Sequence, residues 1–355
     1  MARIRLENAS KTFGTHAAIE DLDLDIADGE FFVLLGPTGA GKTTTLRLIA
    51  GLEKPTAGRV YIDETDVNEW GPAERDVALV LQQYSLYPRL SVRDNLAFPL
   101  RSRVRNLPSA EIDKRIDYAS KTLRIEHLLD RKTDRLSGGE MQRVSIGRAI
   151  VREPRVFLMD EPLSALDAKL RESLRSELKD LQQRLGATFI FVTHDQVEAM
   201  TMGDRIAVLN KGRIVQVATP SEIYHNPRDT YVASFVGSPA INLLEGSIAG
   251  GKAVVATPGF ELPLSNGGAE GNYIFGIRPE DVTVASGAPV EARVHDIENH
   301  GIEKILTLRV GQILLRAGVP ARVNVAVEDS VRFGWAPGKV MLFDRQSGLN
   351  LGHKA

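Results

Sequence analysis

The chain has 355 residues, 43% of them apolar, enough for two domains with ordinary cores. Its 46 acidic and 44 basic side chains leave a formal charge of −2, so there is no overall basic field to hold nucleic acid or anionic lipid, and partners must be met at local sites. It contains no cysteine, which excludes disulfides, thiolate metal centres and a catalytic thiol.

The opening MARIRLENAS alternates charged and apolar side chains where a secretory leader needs an unbroken apolar stretch. No later apolar run approaches the roughly 18 to 20 residues of a membrane span, so a cytosolic protein is expected. Leu22, Leu24 and Ile26 alternate with aspartates, the period of a half-buried strand, and Asp28-Gly29 predicts a hairpin turn into EFFVLLG. That second run is apolar without alternation, as are VALVLQ (77–82), VFLMDE (156–161) and TFIFVTH (188–194). Such runs predict strands buried on both faces. Helical patterns at 42–50 and 167–185 lie between them, which predicts an α/β fold with a parallel sheet. Ligands of such sheets bind at the carboxyl ends of the strands.

Those ends carry the polar groups. Gly36-Pro37-Thr38-Gly39-Ala40-Gly41-Lys42-Thr43 stands between a strand and a helix and fits the phosphate-loop pattern. Its amides would close around phosphates, Lys42 would reach the β and γ oxygens, and the Thr43 hydroxyl would ligate magnesium. Asp160 and Glu161 end a strand after four apolar residues, and two adjacent carboxylates there need compensation by a metal ion and a polarised water. Asp160 is expected to hold magnesium and Glu161 to accept a proton from the attacking water. His194 arrives at the same edge and would contact the γ-phosphate or that water. Gln82 opens the loop QQYSLYPRLS, a candidate for sensing magnesium and touching a partner.

From about 84 to 150 the pattern turns helical. Ile112, Ile116, Ala119 and Leu123 recur at helical spacing behind Ser109 as N-cap, which predicts a helical subdomain inserted into the sheet domain. RSRVR (101–105) is read as a solvated charged face. DRLSGGEMQR (134–143) places two glycines after a serine and ahead of a helix-like run at 140–151, a second cradle-like pattern in one chain. After FVGSPAINLLEG (235–246) come short β-rich runs with frequent Gly and Pro, which predict a separate small barrel or sandwich. VHDIENHG (294–301) holds two histidines and acids, but the spacing matches no closed ligand set and a solvated loop explains it.

Taken together, the phosphate loop, Gln82, LSGGE, FLMDEP, SALD (164–167) and His194 stand in the order and spacing of the ATP-binding cassette ATPases, and residues 3–235 resemble their importer subunits. The resemblance implies a cassette domain at 1–235, with its helical subdomain at 84–150, and a β-barrel accessory domain at 236–355. It implies ATP and Mg2+ as cofactors, with Thr44 joining the phosphate loop and Gln82 also near the metal. Phe13, in KTFG, matches the aromatic that stacks on adenine. Two cassettes would face head to tail, so that Ser137, Gly138 and Gly139 bind the γ-phosphate of the partner's ATP and Asp167 helps join the two sites. The implied partners are a second copy, two transmembrane permeases and, indirectly, an extracytoplasmic solute-binding protein, but no nucleic acid. The expected place is the cytoplasmic face of the inner membrane, held there through the permeases.

GSPAINLLEG and FGIRPEDV are similar to the accessory domain of maltose- and glycerol-phosphate-type importers, implying uptake of a carbohydrate or related solute. Importers of oxyanions and polyamines carry related domains and stay open as alternatives. A soluble cassette of DNA repair or translation is a further alternative, though its usual long coiled coil or second cassette is missing from the sequence. A phosphate-loop kinase would share Lys42 and Thr43 but would have no use for LSGG. One departure is Glu140, where the family commonly has glutamine. A carboxylate suits the first helical turn but competes with phosphate for the same positive end, so slower or weaker engagement in trans is expected.

Overall fold

In the computed structural model the first two strands, β1 (Ile4–Phe13) and β2 (His16–Ile26), pair antiparallel, and β4 (Ala57–Ile62) and the short β5 (Thr65–Asp66) complete a four-stranded sheet in the order β2-β1-β4-β5. The described residues are 2–102, 107–250, 252–255, 260–263, 269–335 and 338–354. They fall into two compact units, Met1–Pro220 and Ser221–Ala355. The split precedes the expected junction at 235/236, so the helix Thr230–Phe235 packs with the β-rich unit.

The alternation of β2 is real: Leu22, Leu24 and Ile26 are buried, while the aspartates between them are exposed. The hairpin expected at Asp28-Gly29 does not form. Gly29 turns the chain (φ 73°), but β3 (Phe31–Leu35) leaves for a second sheet. The reason is burial, because all five β3 residues are apolar and fully covered, which an edge beside the half-exposed β2 cannot provide.

The second sheet has six strands in the order β10-β9-β3-β8-β7-β6, formed by β6 (Val77–Val80), β7 (Val156–Asp160), β8 (Thr188–Thr193), β9 (Arg205–Asn210) and β10 (Arg213–Ala218) around β3. All neighbours are parallel except β10 against β9. Leu35 lies opposite Thr193 and Asp160 opposite Val192, so the segments that follow β3, β7 and β8 leave from one edge. The two sheets share a core that includes Ile4, Leu24, Leu34, Ile49, Leu158 and Ile190. Each such side chain contributes about 1.5 to 3 kcal/mol by leaving water.

Helix α1 (Lys42–Ala50) begins directly at the phosphate loop and ends at Gly51 in the left-handed region (φ 74°). Arg75, 2% exposed, closes that end: its guanidinium donates to the carbonyls of Leu48 (2.6 Å), Ile49 (3.0 Å), Val67 (2.6 Å) and Trp70 (3.1 Å). A buried cation is thus satisfied wholly by backbone at the negative end of the helix dipole. Arg75→Ala strands these carbonyls and is expected to cost about 3 kcal/mol. A thermal melt should then lose roughly 6 to 12 °C, and an unchanged melt would count against the clamp.

The helical subdomain consists of α2 (Val92–Ala97), α3 (Ser109–Thr122) and α4 (Gly138–Ile150). Ser109 is not the N-cap: Pro108 holds that place in extended conformation (ψ 147°) without a side-chain bond, and Ser109 is drawn into the first turn. Ser91 does cap α2, accepting from Asp94 N at 3.0 Å. Of RSRVR, Arg101 pairs with Asp94 at 3.1 Å, and residues 103–105 lie outside the described residues. The longer α5 (Ala168–Leu185) and the short α6 (Gln196–Met202) flank β8 in sequence.

In the second unit two antiparallel sheets of six and five strands share a core that includes Phe275, Phe333 and Trp335. Arg278, 1% exposed, donates to the carbonyls of Tyr224, Ala233 and Val236 and lies 4.0 Å from the Tyr224 ring centre. It fastens the unit's leading helical segment to the strands. VHDIENHG is not a loop: residues 294–299 belong to the strand Val290–Asn299, where His295 sits against Arg309, and His300, just beyond it, lies 3.6 Å from Glu298.

Candidate functional site

The phosphate loop owes its shape to its glycines. Gly39 (φ 81°) and Gly41 (φ 102°) are left-handed, and a Cβ on Gly41 would stand 2.8 Å from the Ala18 carbonyl oxygen. A Cβ on Gly36 would meet the Leu209 carbonyl oxygen at 2.6 Å. At the loop opens a cleft of about 490 Å3, lined by Phe13, His16 and Ala18, by residues 38–44 and by Gln82 and Glu161. That volume is within the range of small-molecule sites. Phe13 is 43% exposed at the end of β1, with Lys11 Nζ 4.9 Å from its ring centre, so it is not a core phenylalanine.

Lys42 is 5% exposed; its Nζ donates to the carbonyls of Gly36 (2.8 Å) and Pro37 (3.0 Å) and lies 3.7 Å from Glu161 Oε1. Burial pushes its pKa down, and the charges of Glu161 and Asp160 oppose that shift. Glu161 stands just past β7 in the left-handed region (φ 44°), a strained backbone for a side chain of this size. Its Oε2 is 3.1 Å from His194 Nδ1. The carboxylate is therefore held between the phosphate-loop lysine and the histidine that follows β8.

Thr43 Oγ1 donates to Asp160 Oδ1 at 2.9 Å. Asp160 is 9% exposed; burial pushes its carboxyl up, the Thr43 bond opposes this, and the Glu161 charge adds to it. A hydroxyl and a buried carboxylate side by side at a phosphate cleft are hard oxygen donors that fit Mg2+.

Ser137 caps α4 in a reciprocal box. Its Oγ accepts from Glu140 N, while the Glu140 carboxylate accepts from Ser137 N (2.8 Å) and Ser137 Oγ (2.9 Å). The helix accordingly begins at Gly138, two residues ahead of the expected start. The backbone N–H of Ser137 holds the Glu140 carboxyl below the usual range. Gly139 is packed so closely that a Cβ would strike Leu170 Cδ2 at 2.1 Å. Asp167 caps α5 by accepting from Leu170 N at 3.0 Å. None of Ser137, Gly138, Gly139 and Asp167 lines the cleft of the same chain.

Two further residues belong to this neighbourhood. Ser164 Oγ donates to the Glu161 carbonyl at 2.9 Å and accepts from Gln82 Nε2 at 3.3 Å, tying residues 164–167 to both. His16 faces the cleft beside Phe13. Ser164 opens the SALD motif, which marked the segment but not its bonds to Gln82 and Glu161; His16 had no signal in the sequence.

Residues 19–164 match the family model described as ABC transporter, residues 237–282 the MalK OB fold domain, and residues 275–343 the TOBE domain. The trehalose/maltose import ATP-binding protein of Thermococcus litoralis is 47% identical over 98% of this chain and 99% of its own length. The xylose/arabinose import ATP-binding protein of Haloferax volcanii is 45% identical (98% and 95%), and the sn-glycerol-3-phosphate import ATP-binding protein of Brucella abortus biovar 1 is 47% identical (97% and 97%). A solved ATP-binding cassette, a dimer in a post-hydrolysis state bound to ADP and Pi, is 34% identical with a TM-score of 0.56, covering 61% of this chain and 98% of that one.

Proposed function

The chain belongs to the ATP-binding cassette transporter family, as an importer ATP hydrolase, and from that premise we propose that two copies close head to tail over two ATP molecules to drive solute uptake. The observation that carries this reading is the Glu161 carboxylate, set between Lys42 and His194 in the lining of the 490 Å3 cleft.

The triphosphate lies along the amides of residues 36–43 with adenine against Phe13. Lys42 Nζ turns from the Gly36 and Pro37 carbonyls to the β and γ oxygens. Glu161 takes a proton from the attacking water, and His194 and Gln82 orient that water and the γ-phosphate. Thr43 and Asp160, with Gln82, would hold Mg2+, which when bound neutralises developing phosphate charge. Ser137, Gly138 and Gly139 of each chain reach the γ-phosphate of the other's ATP, and Asp167 joins the two sites. Because Glu140 occupies Ser137, each closure must release that carboxylate. Glu140→Gln keeps the capping box and removes the charge. The ATP concentration for half-maximal hydrolysis should fall about two- to fivefold, from the 0.3 to 1 kcal/mol that a charge contributes at a helix end. An unchanged or higher value would count against competition.

No helix among the described residues is long and apolar enough to cross a membrane. The chain works at the cytoplasmic face of the inner membrane beneath two permeases, fed by an extracytoplasmic binding protein, with residues 82–90 passing the motion on. The cargo is a carbohydrate or related solute, in keeping with the import proteins to which the chain is similar along nearly its whole length. Reconstitution with the permeases and binding protein, screened with sugars, polyols and glycerol phosphates, tests this. Stimulation of ATP hydrolysis by one of them is expected. Stimulation by an oxyanion or polyamine alone would overturn the solute class.

A further inference from the structure

Behind His194 lies an ionic cluster that takes no part in holding phosphate. Glu198, on α6, is 3% exposed and accepts from Thr193 Oγ1 at 2.6 Å, and Thr193 Oγ1 in turn accepts from Asp195 N at 2.9 Å. These bonds fix the backbone on both sides of His194. Burial pushes the Glu198 carboxyl up and the Thr193 hydroxyl opposes it, so the group needs cationic company. That company is Arg171, on the first turn of α5, with the charge of Arg175 one turn further on adding to it. Its Nη2 donates to the Leu166 carbonyl at 3.0 Å, and its Nη1 reaches Asp195 Oδ2 at 3.5 Å. Its Nε is buried without a hydrogen bond and faces Glu198 Oε1 at 3.9 Å, about 0.7 Å beyond the upper end of hydrogen-bond range.

One rigid guanidinium therefore spans the segment 164–167 and the segment 193–195. Both touch Glu161, the first through Ser164 Oγ on its carbonyl and the second through His194 on its carboxylate. We propose that Arg171 is a positioning residue that couples movement of residues 164–167 to the placement of His194, with buried Glu198 as the counter-charge on which it pivots. The proposal rests on the ATP-hydrolase reading above. A displacement of Leu166, where Asp167 would meet a second copy, moves the guanidinium, because its fork cannot keep two partners at fixed angles while one shifts. The open Nε supplies the contact that such a shift closes.

The alternative is that Arg171 merely balances a buried carboxylate, which would make it a stability residue. The two separate in a double-mutant cycle on the full chain, measuring ATP hydrolysis of the parent, Arg171→Ala, His194→Ala and the double variant, each with a melting curve. Arg171→Ala should lower kcat about tenfold with KM for ATP changed less than about twofold, and the same change on the His194→Ala background should lower it less than about twofold. Arg171→Lys keeps the charge without the fork and should stay at least about threefold below the parent. Full kcat in a folded Arg171→Ala, or the same factor lost with and without His194, would overturn the coupling. If Arg171→Ala does not fold, Arg171→Lys and Glu198→Gln carry the same cycle with the same criteria. A parent chain that hydrolyses no ATP would refute the functional reading and this proposal with it, whereas an active parent with additive losses refutes the coupling alone.

Discussion

Replacing Glu161 by glutamine should lower steady-state ATP hydrolysis by roughly 10² to 10⁴-fold, the usual contribution of a positioned general base, while leaving ATP bound. The amide has the carboxylate's shape, so the contact with His194, 3.1 Å away, survives. What is lost is proton acceptance and one negative charge 3.7 Å from Lys42. Removing that charge frees Lys42 for phosphate and removes repulsion between Glu161 and the γ-phosphate, so binding should be as tight as in the parent or tighter. Closure without hydrolysis then traps a dimer. Sedimentation in ATP is expected to show the variant as a dimer and the same variant without nucleotide as a monomer. A rate within tenfold of the parent would remove Glu161 from the role of base. Tight ATP binding by a species that stays monomeric at every concentration would remove the two-chain site.

The part of this site formed by strand ends was legible because it follows from one physical rule. Apolar runs without alternation must be buried on both faces, and in a parallel sheet their polar terminations share an edge. Lys42, Asp160, Glu161 and His194 were found that way, and the structure brings them within hydrogen-bonding or ionic distance of Thr43 or of one another. The rest is long-range and leaves no local pattern. Arg75 answers carbonyls at 48, 49, 67 and 70, and nothing about an arginine in AERDV announces a helix clamp. Asp28-Gly29 misled because turn chemistry fixes only the turn, while burial decides which sheet the next strand joins. The bonds of Ser164, inside the SALD motif, and those of Arg171 were hidden for a related reason. Their partners are Gln82, Asp195 and Glu198, and neither a motif serine nor an arginine near a helix start announces contacts so distant in sequence. Ser109 lost its cap to Pro108, a competition between neighbours that side-chain preference alone does not resolve.

The largest effect expected from the second half of the site is one that disappears on mixing. Lys42→Ala removes the buried cation that faces Glu161, and Ser137→Arg puts a bulky, charged side chain at the exposed cap of α4, the surface offered to a second copy. Each single variant should lose hydrolysis by roughly 10² to 10³-fold, as when a preorganised transition-state contact is removed. If all groups of a site came from one chain, mixing the two inactive proteins would restore nothing. The cleft, however, is lined by Lys42 and Glu161 and not by Ser137, Gly138 or Gly139, so a site closed by a second copy divides the damage unequally. In a mixed dimer one site combines both lesions, and the other pairs the intact loop of the Ser137→Arg chain with the intact Ser137 of the Lys42→Ala chain. Equal mixing should return roughly a quarter of the parent rate, since half of randomly formed dimers are mixed and each keeps one of two symmetric sites. A mixture no more active than its components, although both fold and bind each other, would place Ser137 outside the partner's ATP site. The role of Glu140 as the carboxylate that closure must release would then fall with it.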